Sequence, residues 1–186
     1  MIYLTFDAGY ENGNVEKTLD ILRREDVPAA FFILGNLVTS NTDLVKRMIV
    51  DGHLICNHTY SHKDMTKLTK LQFEEELQKM EAIFTEYTGE KLDKYYRPPE
   101  GRFSVENIQT ANELGYKTFF WSFAYADWDN GAQMKSDVAM KKILDNLHNG
   151  EIMLLHPTSK TNAEIMRDLI RKLKQMGYKF ATLEEL

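Results

Sequence analysis

Side chains that could move a proton follow two short apolar runs of the sequence. Asp7 comes directly after the run from Ile2 to Phe6, and His156 comes directly after the run from Ile152 to Leu155. A carboxylate can accept a proton near neutral pH and an imidazole can donate one, so the pair suits general acid–base catalysis. Asp127 could orient His156 and raise its pKa. The sequence therefore predicts Asp7 as the base and His156 as the acid.

Both residues also have a structural interpretation. An aspartate after a strand often caps the next helix, but that helix is expected to begin only near Asn14 and Val15, which leaves Asp7 free. A single histidine at the end of a strand is usually structural. The carboxylate of Asp127 is what favours a catalytic role for His156.

Two imidazoles stand four residues apart in the segment His58-Thr59-Tyr60-Ser61-His62. From a helical turn or a tight loop, that spacing lets both rings reach one metal ion. The alternative is a hydrogen-bonded pair of loop histidines, because the same spacing also arises by chance. We predict a metal site at His58 and His62.

Arg97 opens a rigid bend, Arg97-Pro98-Pro99-Glu100-Gly101. Each proline fixes its own φ and biases the residue before it toward an extended conformation, so the arginine is held in place. Taken alone, the segment would suit a surface turn with a solvated arginine.

Aromatic residues surround Asp127 in the segment from Trp121 to Trp128. Such rings can stack on sugars, and they can equally be ordinary core residues. We predict that Trp121 belongs to the core and that Trp128 lines a substrate groove.

Strand-like and helical patterns alternate along the chain, which is typical of a parallel α/β fold. The clearest helix is predicted from Leu71 to Tyr87, where apolar residues recur near a 3.6-residue period and Gly89 follows as a stop. The predicted strands are Ile2 to Phe6, Ala29 to Leu34, Leu54 to Asn57, Tyr95 to Arg97, Lys117 to Trp121, Ile152 to Leu155 and Lys179 to Thr182.

No repeat or linker divides the 186 residues, so we predict one domain over residues 1–186. A complete eightfold barrel typically needs about 250 residues. The prediction is an α/β fold with a distorted or incomplete (β/α) barrel, and an open doubly wound sheet is the alternative. In both, the carboxyl ends of the strands lie at one rim. The residues expected to meet there are Asp7, His58, His62, Arg97, Asp127 and His156.

Composition excludes several classes of protein. The formal net charge of −5 argues against binding nucleic acid, since a phosphate backbone is held mainly by Lys and Arg. The longest apolar runs, such as Pro28 to Leu34, are too short to span a bilayer as a helix, and the first residues predict a strand rather than a secretion signal. Cys56 is the only cysteine, so no internal disulfide can form.

Taken in chain order, five segments resemble the motifs of the polysaccharide deacetylases, the family 4 carbohydrate esterases built on the NodB homology domain. The segments are TFDAG at residues 5–9, HTYSH at 58–62, RPPEG at 97–101, the pair at 127–128 and LLH at 154–156. TFDAGYENG, RPPEGRFS and WSFAYADW look most like the branch that de-N-acetylates muramic acid on the way to the muramic δ-lactam of spore cortex peptidoglycan.

The resemblance implies a NodB-like barrel and a hydrolase that removes the acetyl group from an N-acetylated amino sugar. It implies a divalent metal, expected to be Zn²⁺, at His58 and His62. Asp7 would be the base that activates water, with Arg97 orienting it. By the same resemblance, Asp127 tunes His156, the acid that protonates the departing amine.

Further residues are expected to contact the substrate. The backbone N–H of Glu100 is the implied oxyanion donor, and Leu154 and Trp128 are implied to enclose the acetyl methyl group. Tyr10, in the turn after Asp7, is the remaining predicted contact.

Ala8 departs from the family pattern, which has a second aspartate at this position as the third protein ligand of the metal. Catalytic zinc sites generally use three protein ligands plus water, so Ala8 implies weak binding, extra waters or a substitute ligand. Cys56, two residues before His58, is a conceivable substitute, although small buried cysteines are common in cores.

Two rival functions follow from these features. Ala8 motivates a degenerate deacetylase that binds glycan without hydrolysing it. A metal-independent or phosphoryl-directed hydrolase is the other rival, but no phosphate-binding glycine loop of the GxGxxG or GxxxxGK[ST] type supports it.

The resemblance also implies where the protein works. The expected partner is a peptidoglycan glycan strand, with no nucleic acid and no membrane span, and the expected location is the cell envelope. We expect the chain to be a monomer.

Overall fold

The computed structural model describes every residue from Met1 to Leu186. Its strands are β1 (Ile2–Ala8), β2 (Ala30–Ile33), β3 (Leu54–Asn57), β4 (Asp93–Tyr96), β5 (Lys117–Thr118) and β6 (Glu151–Leu155). Its helices are α1 (Val15–Glu25), α2 (Gly35–Ser40), α3 (Thr42–Val50), α4 (Lys70–Thr88), α5 (Val105–Glu113), α6 (Ser136–Asp145) and α7 (Lys160–Gln175). Single 3₁₀ turns lie at Met65–Lys67, Pro99–Gly101 and Leu183–Glu185. None of the helices is both long and apolar enough to cross a bilayer.

All six strands are parallel and form one sheet in the order β5-β4-β3-β2-β1-β6. Strands that follow one another in the chain are neighbours from β1 to β5, whereas a doubly wound sheet would reverse direction near its middle. The sheet therefore curls as an incomplete barrel, which confirms the predicted fold class.

The segment from Phe119 to Tyr125 closes the gap between β4 and β6. The amide of Phe119 donates to the carbonyl of Tyr96 (2.8 Å), and the amide of Leu154 donates to the carbonyl of Phe123 (2.9 Å). The predicted strand from Lys117 to Trp121 was therefore too long: ladder pairing stops at Thr118. The segment from Phe119 to Tyr125 makes only an isolated bridge, Phe123 with Met153.

Alternate residues of β1 face two different cores. Ile2, Leu4 and Phe6 belong to the large cluster under the helices, whereas Tyr3 belongs to a smaller cluster inside the barrel. Each fully buried apolar side chain contributes about 1.5–3 kcal/mol. Because successive side chains of a strand point to opposite faces, Asp7 lies on the inner face with Tyr3.

Helix α4 confirms the predicted helix. Thr69 and Gln72 form a reciprocal capping box at its start, and Gly89 ends it. Leu71 and Tyr87, both expected on its apolar face, are exposed instead. The stripe that packs inward is Phe73, Leu77, Met80 and Phe84.

Two further predicted strands differ in the structure. The strand from Lys179 to Thr182 is wrong, because this segment makes only the isolated bridge between Ile2 and Phe180 before the chain leaves the sheet. The fourth strand ends at Tyr96 rather than at Arg97, which starts the proline bend.

The start of α2 leaves no room for a side chain at Gly35. A Cβ there would lie 2.4 Å from the Tyr60 ring, and the Gly35 amide donates to the Tyr60 carbonyl. We expect Gly35→Ala to lower the free energy of unfolding by about 1–3 kcal/mol, because the ring must shift. Urea unfolding measures this. Ser40→Ala, at an exposed position of the same helix, is the control; equal stability of the two variants would contradict the packing argument.

Candidate active site

The register of β1 and β6 places Asp7 beside His156. Thr5 pairs with Leu154 and Phe6 with Leu155, so Asp7 and His156 occupy the next positions on adjacent parallel strands. Neighbouring strands lie about 4.8 Å apart, and both residues share the inner-face parity. Each charge acts on the pKa of the other residue. The two residues predicted as base and acid therefore meet at one rim.

Arg97 is completely buried and binds Asp7. Its Nη1 donates to Oδ1 of Asp7 and to the hydroxyl of Thr5, both at 2.9 Å. Burial alone would raise the pKa of Asp7, but the neighbouring His58 and Arg97 outweigh it and hold that pKa below its usual value. Asp7 is therefore an ionised carboxylate near neutral pH, with Oδ2 left for other contacts.

The remaining donors of Arg97 hold the segment that closes the barrel. Nε donates to the carbonyl of Phe119 (3.3 Å), and Nη2 donates to that of Phe120 (3.0 Å). The guanidinium lies 4.1 Å from the centroid of the Phe32 ring. The surface-turn alternative for Arg97 is therefore wrong.

The imidazole of His58 is oriented by the backbone of Arg97. A carbonyl oxygen only accepts, so Nδ1 of His58 carries the proton and donates to the Arg97 carbonyl (2.8 Å). Nε2 then faces Oδ2 of Asp7 at 3.5 Å. Burial, partly offset by the charge of Asp7, lowers the pKa of His58 to about 4. Two acceptors thus face each other, so Nε2 of His58 has no donor bonded to it and could hold a cation.

His62 lies beside His58 but on the surface. The two ring centroids are 5.1 Å apart, and His62 is exposed. The segment between them is a tight loop rather than a helical turn, since Thr59 (φ 75°) and His62 (φ 57°) are both left-handed. The buried carboxylate of Glu76 accepts from the amide and hydroxyl of Ser61 and so holds the loop.

No third protein ligand joins the two histidines. The structure contains no group of three or more His, Cys, Asp and Glu side chains arranged to hold a metal. Ala8 is buried in the apolar cluster under the helices. Cys56, considered as a substitute ligand, is packed in the cluster inside the barrel, and burial raises the pKa of its thiol well above its usual value. The structure therefore does not support Cys56 as a ligand.

His156 is held by Asp127. Nδ1 of His156 lies 2.7 Å from Oδ1 of Asp127, and the His156 amide donates to Oδ2 at 2.8 Å. Burial alone would lower the pKa of His156, but the hydrogen bond and charge of Asp127 outweigh it, helped by the charge of Asp7, and the pKa is raised. With Nδ1 engaged, Nε2 is the nitrogen available for proton transfer.

The bend after Arg97 offers a free amide. The amides of Gly101 and Arg102 donate to the carbonyls of Pro98 and Pro99, whereas the Glu100 amide makes no hydrogen bond within the protein. Glu100 is left-handed, with φ 55°. Gly101 also has a positive φ (68°), and a Cβ there would lie 2.7 Å from the Trp121 ring. Trp121 is thus half-buried against the bend rather than a core residue.

The other predicted substrate contacts differ in their exposure to solvent. Trp128 is 59% exposed, and its ring centroid lies 6.0 Å from that of His156. Tyr10 is also exposed, and its hydroxyl accepts from the side chain of Asn130 (2.6 Å). Leu154 is buried on the inner face beside Thr5. Trp128 and Tyr10 are therefore placed to meet a large ligand, and Leu154 lies in the floor.

Sequence reasoning missed several residues that hold this site. Thr5 accepts from Arg97, and Asn162 donates to Oδ2 of Asp127 (2.6 Å). Thr5 stands in a strand and Asn162 near the start of a helix, where such residues are common. No sequence signal marks either residue, because their burial and their partners appear only in the structure.

A polar surface cavity lies away from these residues. Its volume is about 610 Å³ and its polar lining includes Glu16, Asp43 and Arg47. It contains no residue predicted to act in the site. The convergence of charged side chains, rather than concavity, locates the candidate active site.

Comparison with known proteins gives the same answer as the motifs. The model of the polysaccharide deacetylase family matches residues 1–119. The chain is 40% identical over 185 residues to the peptidoglycan-N-acetylmuramic acid deacetylase PdaA of Bacillus subtilis, a match that covers 100% of this chain and 70% of that protein. The solved structure of that protein, described as a family 4 carbohydrate esterase, has a TM-score of 0.95 at 41% identity, covering 100% of this chain and 79% of the other.

More distant relatives include active and inactive proteins. The peptidoglycan-N-acetylglucosamine deacetylase PgdA of Listeria monocytogenes is 34% identical over 185 residues, which is 100% of this chain but 38% of that protein. A family 4 pseudoenzyme from Bacillus anthracis has a TM-score of 0.91 at 30% identity, covering 100% of this chain and 64% of that one. A mutant of that pseudoenzyme is described as having restored activity. The chain therefore belongs to the polysaccharide deacetylases, family 4 of the carbohydrate esterases, which are hydrolases of the amide of N-acetylated sugars.

Proposed function

We propose that this chain hydrolyses the acetamide group of N-acetylmuramic acid in peptidoglycan, on the route to muramic δ-lactam. One observation carries the catalytic part of the proposal. The ionised Asp7, held by Arg97, and the imidazole of His156, held by Asp127, end adjacent strands on the same face. An amide needs a base on one side and an acid on the other, and this arrangement supplies both.

The reaction divides into two proton transfers. Oδ2 of Asp7 takes a proton from water as the water oxygen bonds to the acetamide carbon, and the negative charge gathers on the carbonyl oxygen. The free amide of Glu100 donates to that oxygen. The C–N bond then breaks as Nε2 of His156 gives its proton to the nitrogen. The products are acetate and the free amine.

Members of this family are generally metal-dependent, and the residues here fit a weakly held divalent cation, expected to be Zn²⁺. His58 would hold it through Nε2, which is unprotonated because Nδ1 donates to the Arg97 carbonyl. His62, whose ring lies beside that of His58, would be the second ligand. When bound, such an ion polarises the carbonyl and lowers the pKa of water. Ala8 supplies no ligand, so fewer protein ligands than usual would retain it.

Support for muramic acid as the sugar comes from the relatives. The protein named for N-acetylmuramic acid is 40% identical and matches along 70% of its length. The Listeria monocytogenes protein named for N-acetylglucosamine is 34% identical and matches along 38% of its length. Exposed Trp128 and Tyr10 border the site, where rings can stack on sugars. A peptidoglycan substrate places the reaction at the cell envelope.

A second candidate function is glycan binding without hydrolysis. A pseudoenzyme with the same fold favours it, as does Ala8 at a metal-ligand position. The candidate gives no role to the base and acid, which a binding module does not need. Acetate release decides between the two functions.

We expect Asp7→Asn and His156→Ala each to reduce acetate release from peptidoglycan fragments by about 100-fold or more, because each removes one proton transfer. Mass spectrometry of glycan fragments, with and without stem peptides, identifies which sugar loses its acetyl group. The matched controls are Asp137→Asn and His148→Ala. Both positions are exposed, and His148 precedes the first residue of β6, at the end of the strand away from His156. Undiminished release in either site variant would overturn the assignment, and loss of acetyl from N-acetylglucosamine alone would overturn the proposed sugar.

The pH dependence follows from the raised pKa of His156. The imidazolium is the donor, so kcat/KM is retained below that pKa for as long as Asp7 stays ionised, and it falls as pH rises through the pKa of His156. We expect Asp127→Asn to move this basic limb to lower pH, since removing the negative charge lowers the pKa of His156. Acetate release measured from acid to alkaline pH tests this. Asp129→Asn, at an exposed position of the same loop, should leave the limb in place; an unmoved limb in Asp127→Asn would contradict the role of Asp127.

Restoring the missing ligand tests the metal site. We expect Ala8→Asp to tighten Zn²⁺ binding by about 10-fold or more in calorimetry, and His62→Gln in that background to reverse the gain. Position 8 is buried, so the variant without metal should also unfold at a lower temperature and recover when Zn²⁺ is added. Unchanged affinity would mean that the two histidines do not hold a metal.

A further inference from the structure

A fully buried amide occupies the side of Asp127 that the ring of His156 leaves open. Nδ2 of Asn162 donates to Oδ2 of Asp127 at 2.6 Å and to the carbonyl of His156 at 3.2 Å. The hydroxyl of Tyr125 bonds to Oδ1 of Asn162. All the polar atoms of this amide are therefore bound to the Asp127–His156 pair or to the tyrosine behind it.

The direction of each bond is fixed by chemistry. A carboxylate and a backbone carbonyl only accept hydrogen bonds, so the NH₂ of Asn162 must face Asp127. Its oxygen then faces Tyr125, whose hydroxyl must donate. Burial, together with the charge of Asp127, raises the pKa of Tyr125, so this hydroxyl remains protonated throughout the working range of an enzyme.

Oδ2 of Asp127 accepts from the His156 amide and from Asn162, while Oδ1 accepts from the ring. Three hydrogen bonds thus fix a buried carboxylate that has no Lys or Arg partner. We propose that Asn162, backed by Tyr125, is a positioning residue that fixes Asp127 so that Nε2 of His156 is aimed into the cleft. This inference rests on the proposed role of His156 as the acid.

Removing the amide has a definite electrostatic consequence. The charges that act on the ring of His156 are those of Asp127, Asp7 and Arg97, and the Trp128 ring lies beside it. The hydrogen bond that Asn162 donates stabilises the negative charge of Asp127. Without it, the carboxylate attracts the imidazolium more strongly and is less firmly oriented, so the pKa of His156 rises while proton delivery becomes slower.

The chain contains a closely matched control. Asn162 is the third residue of α7, and its backbone N–H donates to the hydroxyl of the cap residue Ser159. Asn107 is the third residue of α5, and its backbone N–H donates in the same way to the cap residue Ser104. Both side chains are buried, but the side-chain oxygen of Asn107 has no partner. Asn107→Ala therefore reproduces the loss of a buried amide in a first helical turn without touching the site.

The experiment combines an NMR titration with kinetics on the full chain. The ring signal of His156, assigned by its loss in His156→Ala, is titrated in the unmodified protein, Asn162→Ala, Tyr125→Phe and Asn107→Ala. We expect the pKa of His156 to rise by about half a unit to one unit in Asn162→Ala, by less in Tyr125→Phe, and to be unchanged in Asn107→Ala. Acetate release should show kcat about 10- to 100-fold lower in Asn162→Ala with KM within about twofold.

The outcomes separate this inference from the proposed function. An unmoved His156 pKa in Asn162→Ala, or an equal shift in Asn107→Ala, overturns the positioning role. If Asn162→Ala does not fold, Tyr125→Phe decides, and an unmoved pKa there overturns the role as well. If no variant and no substrate yields acetate but the pKa shifts as expected, the proposed function fails while the positioning of His156 stands.

Discussion

The buried guanidinium of Arg97 is the constraint on which this site depends. A charge with no exposure to solvent is costly unless it is paired and hydrogen-bonded. Arg97 meets that condition through Asp7, the Thr5 hydroxyl and the carbonyls of Phe119 and Phe120. These partners come from the first strand and from the segment that closes the barrel. Moving any of them would leave a buried donor of Arg97 without an acceptor, so the position of Asp7 and the barrel closure are fixed together.

Burial and hydrogen bonding shift the pKa values of His58 and His156 in opposite directions. His58 is buried beside Asp7, and burial outweighs that charge and lowers its pKa to about 4. For His156 the balance reverses, because Asp127 binds the ring directly and outweighs burial. One ring is therefore neutral and suited to hold a cation, and the other retains a proton suited to donation. When the surroundings drive the pKa values of two titratable groups apart, the groups are suited to different roles; here His156 suits the acid and His58 suits a metal ligand.

The sequence predicts the positions of the chemical groups better than the contacts that hold them. Asp7 and His156 could be found because parallel strands must place their carboxyl ends at one rim. The segment after Thr118 could not be assigned correctly, because its pairing with β6 depends on curvature of the sheet rather than on local pattern. Lys179 to Thr182 has a strand-like composition, yet after one bridge it has no neighbour to continue a ladder. Asn162 was missed because its partners are up to 37 residues away, and a helix start explains an asparagine equally well.

Metal binding and proton transfer depend on different residues in this site. Ala8 supplies no charge that could hold a cation, but neither Asp7 nor His156 relies on residue 8 for its orientation. Asp7, the proposed base, is held by Arg97, and His156, the proposed acid, is held by Asp127. The weak metal affinity that we propose would therefore leave the hydrogen bonds that orient Asp7 and His156 in place. A protein that only bound glycan would have no use for an imidazole whose pKa is raised by a buried carboxylate, since burying that carboxylate costs desolvation. That cost is the physical argument for regarding this site as catalytic despite its missing ligand.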